Sequence, residues 1–119
     1  MGGREDSVQT ALRLYNDGKS EEALKYFESM LVRDTSFVDG KKYAGIVSLK
    51  LKKYDEAILY FSQLANYQLY ANPGKFYHAL TLLKRNQAGD NQQAKVLLEQ
   101  VVKNDLEGSK DAKVILEKW

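Results

Sequence analysis

The chain of 119 residues contains no cysteine. This absence excludes disulfide bridges, zinc–thiolate sites and cysteine nucleophiles, but it does not fix the cellular compartment. A single proline occurs, which leaves long helices uninterrupted. The charges nearly cancel, since 18 basic residues face 16 acidic ones for a net charge of +2. No bulk electrostatic field therefore indicates a nucleic acid or an anionic membrane as the partner.

Long apolar runs are also missing, and the start of the chain has no apolar segment of the signal-peptide kind. We therefore expect a soluble chain without membrane insertion, and a single structured domain over 4–119. Residues 1–3, Met-Gly-Gly, are either the remnant of an expression tag on a fragment or an unstructured start. If an upstream anchor or signal was removed, the compartment is cytoplasmic or periplasmic.

One helical residue pattern occurs three times in the sequence. Each copy has a small residue followed four positions later by a bulky apolar one: Ala23 and Phe27, Ala57 and Phe61, Ala94 and Leu98. The two intervals between the alanines differ by three positions, and both fall in the range of helical repeat arrays. This pattern predicts that each copy is the second helix of a packed helix pair.

The first helices follow a stricter period, because Ala11, Gly45 and Ala79 are evenly spaced at the shorter of those two intervals. We call this interval, from Ala11 to Gly45, the repeat period. Small residues at these positions let two helix axes approach closely. The longer interval between Ala57 and Ala94 is then explained by a third helix-to-helix connection that is three residues longer than the others.

We predict an all-α fold of about seven helices, with repeats at about 4–35, 38–69 and 72–106 and a capping helix at 109–118. Capping residues mark the helix starts. Ser20, Asp55 and either Asp90 or Asn91 are the expected N-caps of the second helices. The fifth helix is expected to start at Asn72-Pro73, since asparagine caps well and proline at the first helical position loses no hydrogen bond. Ser109 is expected to start the capping helix.

Together, Gly45, Ala57 and Phe61 and the connecting segment Lys53-Tyr54-Asp55-Glu56-Ala57 resemble the tetratricopeptide repeat. The resemblance covers about residues 4 to 118 and implies a right-handed superhelical array of antiparallel helix pairs. The chain departs from the family pattern at Thr10-Ala11, and no copy ends with the frequent proline. Lysines also stand at 41 and 75, where an aromatic residue or leucine is common. The structural signature residues are Ala11, Gly18, Ala23, Phe27, Gly45, Ala57, Phe61, Ala79, Ala94 and Leu98.

In arrays of this family the first helices line the concave surface. The resemblance places nine residues there: Val8, Leu12, Tyr15, Lys42, Ile46, Leu49, Phe76, Leu80 and Leu83. Most are apolar, which favours a groove for an amphipathic helix or an extended apolar peptide and disfavours the carboxylate clamp of some relatives. The alternative is that these side chains pack against one another or against another part of the chain, and both interpretations stay open.

The expected function is therefore a non-enzymatic scaffold module that binds a protein or peptide, as the resemblance to short bacterial arrays implies. No catalytic residue, metal site or cofactor is predicted, because His78 is the only histidine and has no evident nucleophile or ligand partners. A packed histidine is the favoured interpretation.

Two alternatives remain. The basic cluster of Lys41, Lys42, Lys50, Lys52 and Lys53 would serve a nucleic-acid partner, although helix-end and solvated lysines explain it more simply. Self-association through the apolar face or Trp119 is the other, as a structural domain of a larger membrane-anchored protein. The identity of the partner and the oligomeric state are not specified by the sequence.

Overall fold

The computed structural model describes residues 4–119, with side chains from Ser7 onward, and within that range the fold is all-α. Residues 1–3, for which a tag remnant or an unstructured start was expected, lie outside the described residues. The helices are α1 (Arg4–Asn16), α2 (Ser20–Arg33), α3 (Val38–Lys50), α4 (Tyr54–Ala65), α5 (Gly74–Arg85), α6 (Asp90–Lys103) and α7 (Ser109–Glu117). The prediction of about seven helices and no strands is confirmed for the described part of the chain.

The chain divides into two compact units, and the division falls inside α4, between Tyr60 and Phe61. In the first unit α1 packs on α2 and α2 packs on α3. In the second unit α5 packs on α6 and α6 packs on α7. The connections within α1–α2 and α5–α6 are short, so the paired helices run antiparallel.

The core of the first unit includes two of the residues that repeat in the sequence, Ala11 and Phe27. Ala11, Phe27 and Ala44 are fully buried there, with Leu24 and Val47 beside them. Of the ten signature residues, nine are buried, and the tenth, Gly18, is an exposed turn residue.

An aromatic pair recurs in both units with the same geometry. In the first unit the rings of Phe27 and Tyr43 stack with centroids 5.4 Å apart at 27°. In the second unit Phe61 and Tyr77, each one repeat period further along, stack at 5.1 Å and 20°. The sequence period is therefore also a period of side-chain packing.

The ends of the first helices repeat as well. Gly18, Lys52 and Asn86 follow one another at the repeat period, and all three have a positive φ, of 82°, 62° and 53°. Behind Gly18 and Lys52 the same two hydrogen bonds close the helix, from the amide of each of these residues and from the amide that follows it. This is the Schellman motif, and α5 ends in the simpler form with one bond from Asn86 to Leu82.

The sequence predicts that the connection between α5 and α6 is three residues longer than the connections of the other two helix pairs. This prediction is wrong in part, because only one of the three added residues lies in the connection. The connection 86–89 is one residue longer than 17–19 and 51–53. The other two residues lengthen the helices, one at the end of α5 and one at the start of α6. Arg85 and Asp90 occupy these two places, and they bind each other through Nε–Oδ2 and Nη2–Oδ1 at 2.9 and 2.8 Å. This ion pair therefore joins the lengthened end of α5 to the lengthened start of α6.

All three N-caps predicted for the second helices are wrong, and at α6 the cap position is held by Gly89. Helix α2 begins at Ser20 itself, after Lys19 at the cap position, and α4 begins at Tyr54, so that Asp55 lies inside the first turn. Asp90 is the first residue of α6, and its carboxylate accepts from the Gln87 amide in the preceding turn rather than from its own helix. Asn91 is the second residue of that helix.

The fifth helix begins at Gly74, with Pro73 at the cap position, so the predicted start at Asn72-Pro73 is one residue early. Asn72 Oδ1 accepts the amide of Gly74 at 2.8 Å, the bond expected of an N-cap, while Pro73 already has helical torsions. The capping helix begins at the predicted Ser109 and ends at Glu117, one residue before the expected 118.

Candidate functional site

The nine residues predicted for the concave surface, which we call the first-helix set, lie on α1, α3 and α5. All nine are half-buried, none being fully buried or fully exposed. Residues of this kind touch the core with one side and solvent with the other. The set therefore has the exposure of a surface that a partner contacts, although partial packing gives the same values.

In the first unit, α1 places three members of the set against the core. Val8, Leu12 and Tyr15 all pack on the cluster that contains Phe27 and Ala44. Their spacing of four and three residues puts them on one helix face. Part of each side chain is thus structural, and only the remaining part is available to a partner.

On α3 the set contributes Lys42, Ile46 and Leu49, which are four and three residues apart and half-buried. The two apolar residues lie on the same stripe as the Lys42 stem.

In the second unit, α5 contributes Phe76, Leu80 and Leu83. Phe76 is already packed, because its ring lies so close to Gly108 that a Cβ added there would come within 2.3 Å of it. The same ring is tilted against Tyr77 with centroids 6.1 Å apart. Of the three, Leu80 and Leu83 are therefore the better supported contact residues.

The lysine cluster is not one free basic surface. Lys41 is only 9% exposed, which corrects the expectation that it sits on a solvated face. Lys53 donates from Nζ to Glu21 at 3.1 Å, and this bond raises the pKa of the lysine. Lys50 and Lys52 are exposed at the end of α3, where positive charge offsets the helix dipole. A nucleic-acid surface would need these cations to be available together.

His78 is half-buried on α5. Burial, with a smaller contribution from the Arg85 guanidinium, lowers the pKa of its imidazole. The side chain is therefore neutral at pH 7, as a packed histidine would be. Among the described residues no group of three or more histidine, aspartate and glutamate side chains is placed to hold a metal ion. No helix in the described range is long and apolar enough to cross a bilayer.

A cleft that the sequence did not indicate lies in the second unit, beside the connections 66–73 and 104–108. Its volume is about 330 Å³. The lining residues are Ala65, Tyr67, Gln68, Leu69, Asn72, Lys75, Asn104 and Leu106. The one available signal was the length of the 66–73 connection, which has eight residues where the corresponding connection 34–37 has four.

Comparison of the chain with protein-family models, with curated proteins and with solved structures gave no match.

Proposed function

We propose that the chain is a non-enzymatic module that binds a protein or peptide, built as a right-handed array of tetratricopeptide-like helix pairs. The observation that carries the proposal is the recurrence of the same local geometry at the repeat period. The stacked pairs Phe27–Tyr43 and Phe61–Tyr77 and the left-handed helix ends support it. Helix-pair arrays of this kind present extended surfaces, and their usual work is to bind other chains.

The binding surface in this proposal is the first-helix set. An amphipathic helix or an extended apolar segment would bury its side chains against the apolar members of the set. Tyr15, Leu80 and Ile46 serve as anchors, and the Lys42 ammonium orients a polar or acidic group of the partner. Phe76 contributes through its packing with Gly108 rather than as a free anchor.

The binding surface is tested by quantitative capture from native lysate with Ile46→Glu and Leu80→Glu. A charge at either position should remove partners that the unchanged protein retains, because it cannot be buried in an apolar contact. Val32→Glu is the matched control, since Val32 lies on the second helix α2 and is 82% exposed. Circular dichroism establishes that each variant is folded. Identical partners from all four proteins would overturn the proposed surface.

The superhelical arrangement is tested separately by small-angle X-ray scattering. A single compact domain of this length has a radius of gyration of about 13.5 Å. An array of stacked helix pairs is more extended, and its radius should be clearly larger. A measured value at the compact limit would contradict the array while leaving the binding surface to be judged by the capture experiment.

A further inference from the structure

The cleft of the second unit has chemistry of its own, independent of the first-helix set and of the function proposed above. One side is formed by the connection 66–73 with the first turn of α5, and the other by the connection 104–108. Its volume of about 330 Å³ is at the lower end of the range of small-ligand sites.

The first wall of the cleft is held in place by one buried amide. Asn72 is 6% exposed, and its Nδ2 donates to the carbonyls of Leu64 and Tyr67, both at 2.9 Å. Its Oδ1 accepts from Gly74 at 2.8 Å. The Nδ2 amide group and the Oδ1 oxygen of this side chain are thus all hydrogen-bonded within the fold. The wall is therefore formed before any ligand arrives.

The second wall is fixed by the end of α6. The amides of Asp105 and Leu106 donate to Val102 and Val101 at 3.2 and 2.9 Å, which again is the Schellman arrangement. Leu106, the last residue of this turn, lines the cleft and is half-buried. Leu69 on the opposite connection is 40% exposed.

The polar side chains that line the cleft are one lysine, three carboxamides and one tyrosine. Lys75, half-buried, is the only charged residue among those that line it, and Gln68 and Asn104 add two exposed carboxamides. Asp105 lies between two lining residues in the sequence but does not line the cleft, and its carboxylate accepts from the Ser109 hydroxyl at 3.3 Å. The lining therefore offers one positive charge, carboxamides that can donate, and the Tyr67 side chain beside two leucines, with no negative charge.

From this we propose that the cleft binds a single carboxylate carried on a small apolar body. Lys75 pairs with the carboxylate, Gln68 and Asn104 donate hydrogen bonds to it, and the leucines contact the apolar body. A free aliphatic acid and the carboxyl end of an apolar peptide share this chemistry.

The test is an NMR titration of the isotope-labelled full chain with three probes: 4-methylpentanoate, N-acetyl-leucyl-leucine and the amide of that dipeptide. Both acids, or the dipeptide acid alone, should shift the side-chain amide signals of Gln68 and Asn104, and the dipeptide amide should not. Equal affinity of the two acids shows that the carboxylate and its apolar body suffice, stronger binding of 4-methylpentanoate identifies a free acid as the ligand, and binding of the dipeptide acid alone identifies a chain end.

Lys75→Met keeps the length of the side chain and removes its charge, so it should weaken binding about tenfold or more. Lys84→Met, at an exposed position of the same helix, is the control and should leave binding unchanged. The proposal is overturned if no probe shifts these signals, if the amide binds as well as the acid, or if a folded Lys75→Met variant binds normally. An unchanged backbone spectrum of that variant establishes that it is folded.

Discussion

At the scale of the residue, the left-handed helix ends show how one backbone conformation is served by three different residue types. Gly18, Lys52 and Asn86 hold the same place in successive helix pairs. Glycine adopts a positive φ freely and asparagine does so at modest cost, whereas lysine has no such tolerance. Lys52 is exposed, so its side chain gives little packing in return. Some stability is therefore lost at this position.

Lys52→Gly should accordingly stabilise the protein by about 1 kcal/mol, less the small entropic cost of glycine in the unfolded chain. Urea unfolding measures the change. Lys50→Gly is the matched control two residues earlier, at the last residue of α3, where the backbone is still helical and glycine should instead destabilise by about 0.5 kcal/mol. If both variants are destabilised alike, the left-handed conformation at Lys52 does not lower the stability of the native protein.

A second residue-scale prediction concerns Ser48 on α3. It is fully buried, and its hydroxyl has no hydrogen-bond partner among the described residues. Leu82, one repeat period further along, is equally buried, so this is an apolar position of the repeat. Ser48→Ala should raise the free energy of unfolding by about 1 kcal/mol, because it removes an unsatisfied buried group.

Ser29→Ala, at an exposed position of α2, controls for the higher helix propensity of alanine and should change stability by less than about 0.5 kcal/mol. A loss of stability in Ser48→Ala would mean that the hydroxyl is satisfied in solution, for instance by a buried water.

At the scale of the element, α7 is held to the rest of the second unit at a glycine. Gly108 precedes the helix with φ of 93°, and the Phe76 ring of α5 occupies the place that a Cβ would take. Gly89 precedes α6 with a similar φ of 85°, but nothing lies within 4 Å of the place its Cβ would take. The two glycines share a conformation and differ only in crowding.

This pair allows the two contributions to be separated by experiment. Gly89→Ala should cost about 1 kcal/mol from backbone conformation alone. Gly108→Ala should cost about 3 kcal/mol, since the added methyl group must also displace the Phe76 ring. Thermal unfolding of both variants gives the comparison. Equal losses would show that Phe76 moves aside easily, and it would then return as a candidate anchor for a partner.

Some features of the helices could be predicted from the sequence and others could not. The number and order of helices followed from the spacing of Ala11, Gly45 and Ala79, because small residues at a fixed period have few other uses. The break before α5 was predictable to within one residue because the Asn72-Pro73 signal is local. The placement of Arg85 and Asp90 was not, since their pairing depends on how the added residues were divided between two helices and a turn.

The candidate site was less accessible to sequence reasoning. The first-helix set could be named from the resemblance and the helical period, and its members are half-buried. Two features depend on tertiary packing and have no local signal in the sequence. Phe76 packs against Gly108, and Lys41 is buried. The cleft beside Lys75 lies between two connections that are far apart in the chain. No sequence pattern in either connection predicts that it contacts the other.

At the scale of the whole molecule, the response to pH should be concentrated in the second unit. The pKa of His78 is lowered from 6.5 by burial and by Arg85, so the unfolded chain takes up a proton there before the folded chain does. Stability is therefore full above pH 6.5 and falls as the pH drops through and below that value. The bidentate bond to Arg85 lowers the pKa of Asp90 from 3.8 to about 2. That contribution is present above pH 3.8 and is lost as the pH falls towards 2.

Calorimetric scans at pH 7.5, 5 and 3 should show the melting temperature decreasing in two steps. His78→Gln removes the titrating group and should flatten the first step while leaving the second. Asp90→Asn should do the reverse, although its melting temperature at pH 7.5 will also be lower because the charge-assisted bonds to Arg85 are weakened. A first step that persists in His78→Gln would assign it to another group.

The recurring Phe–Tyr stack has a consequence for spectroscopy. Trp119, the only tryptophan, is 49% exposed at the last residue, so its fluorescence reports on the surroundings of α7 alone. Tyr43 and Tyr77 are each held against a phenylalanine ring, one in each unit, and such fixed rings give near-ultraviolet circular dichroism. Tyrosine dichroism and tryptophan emission followed in one unfolding titration thus observe different parts of the chain. Their agreement or divergence would reveal whether the two units lose their structure together.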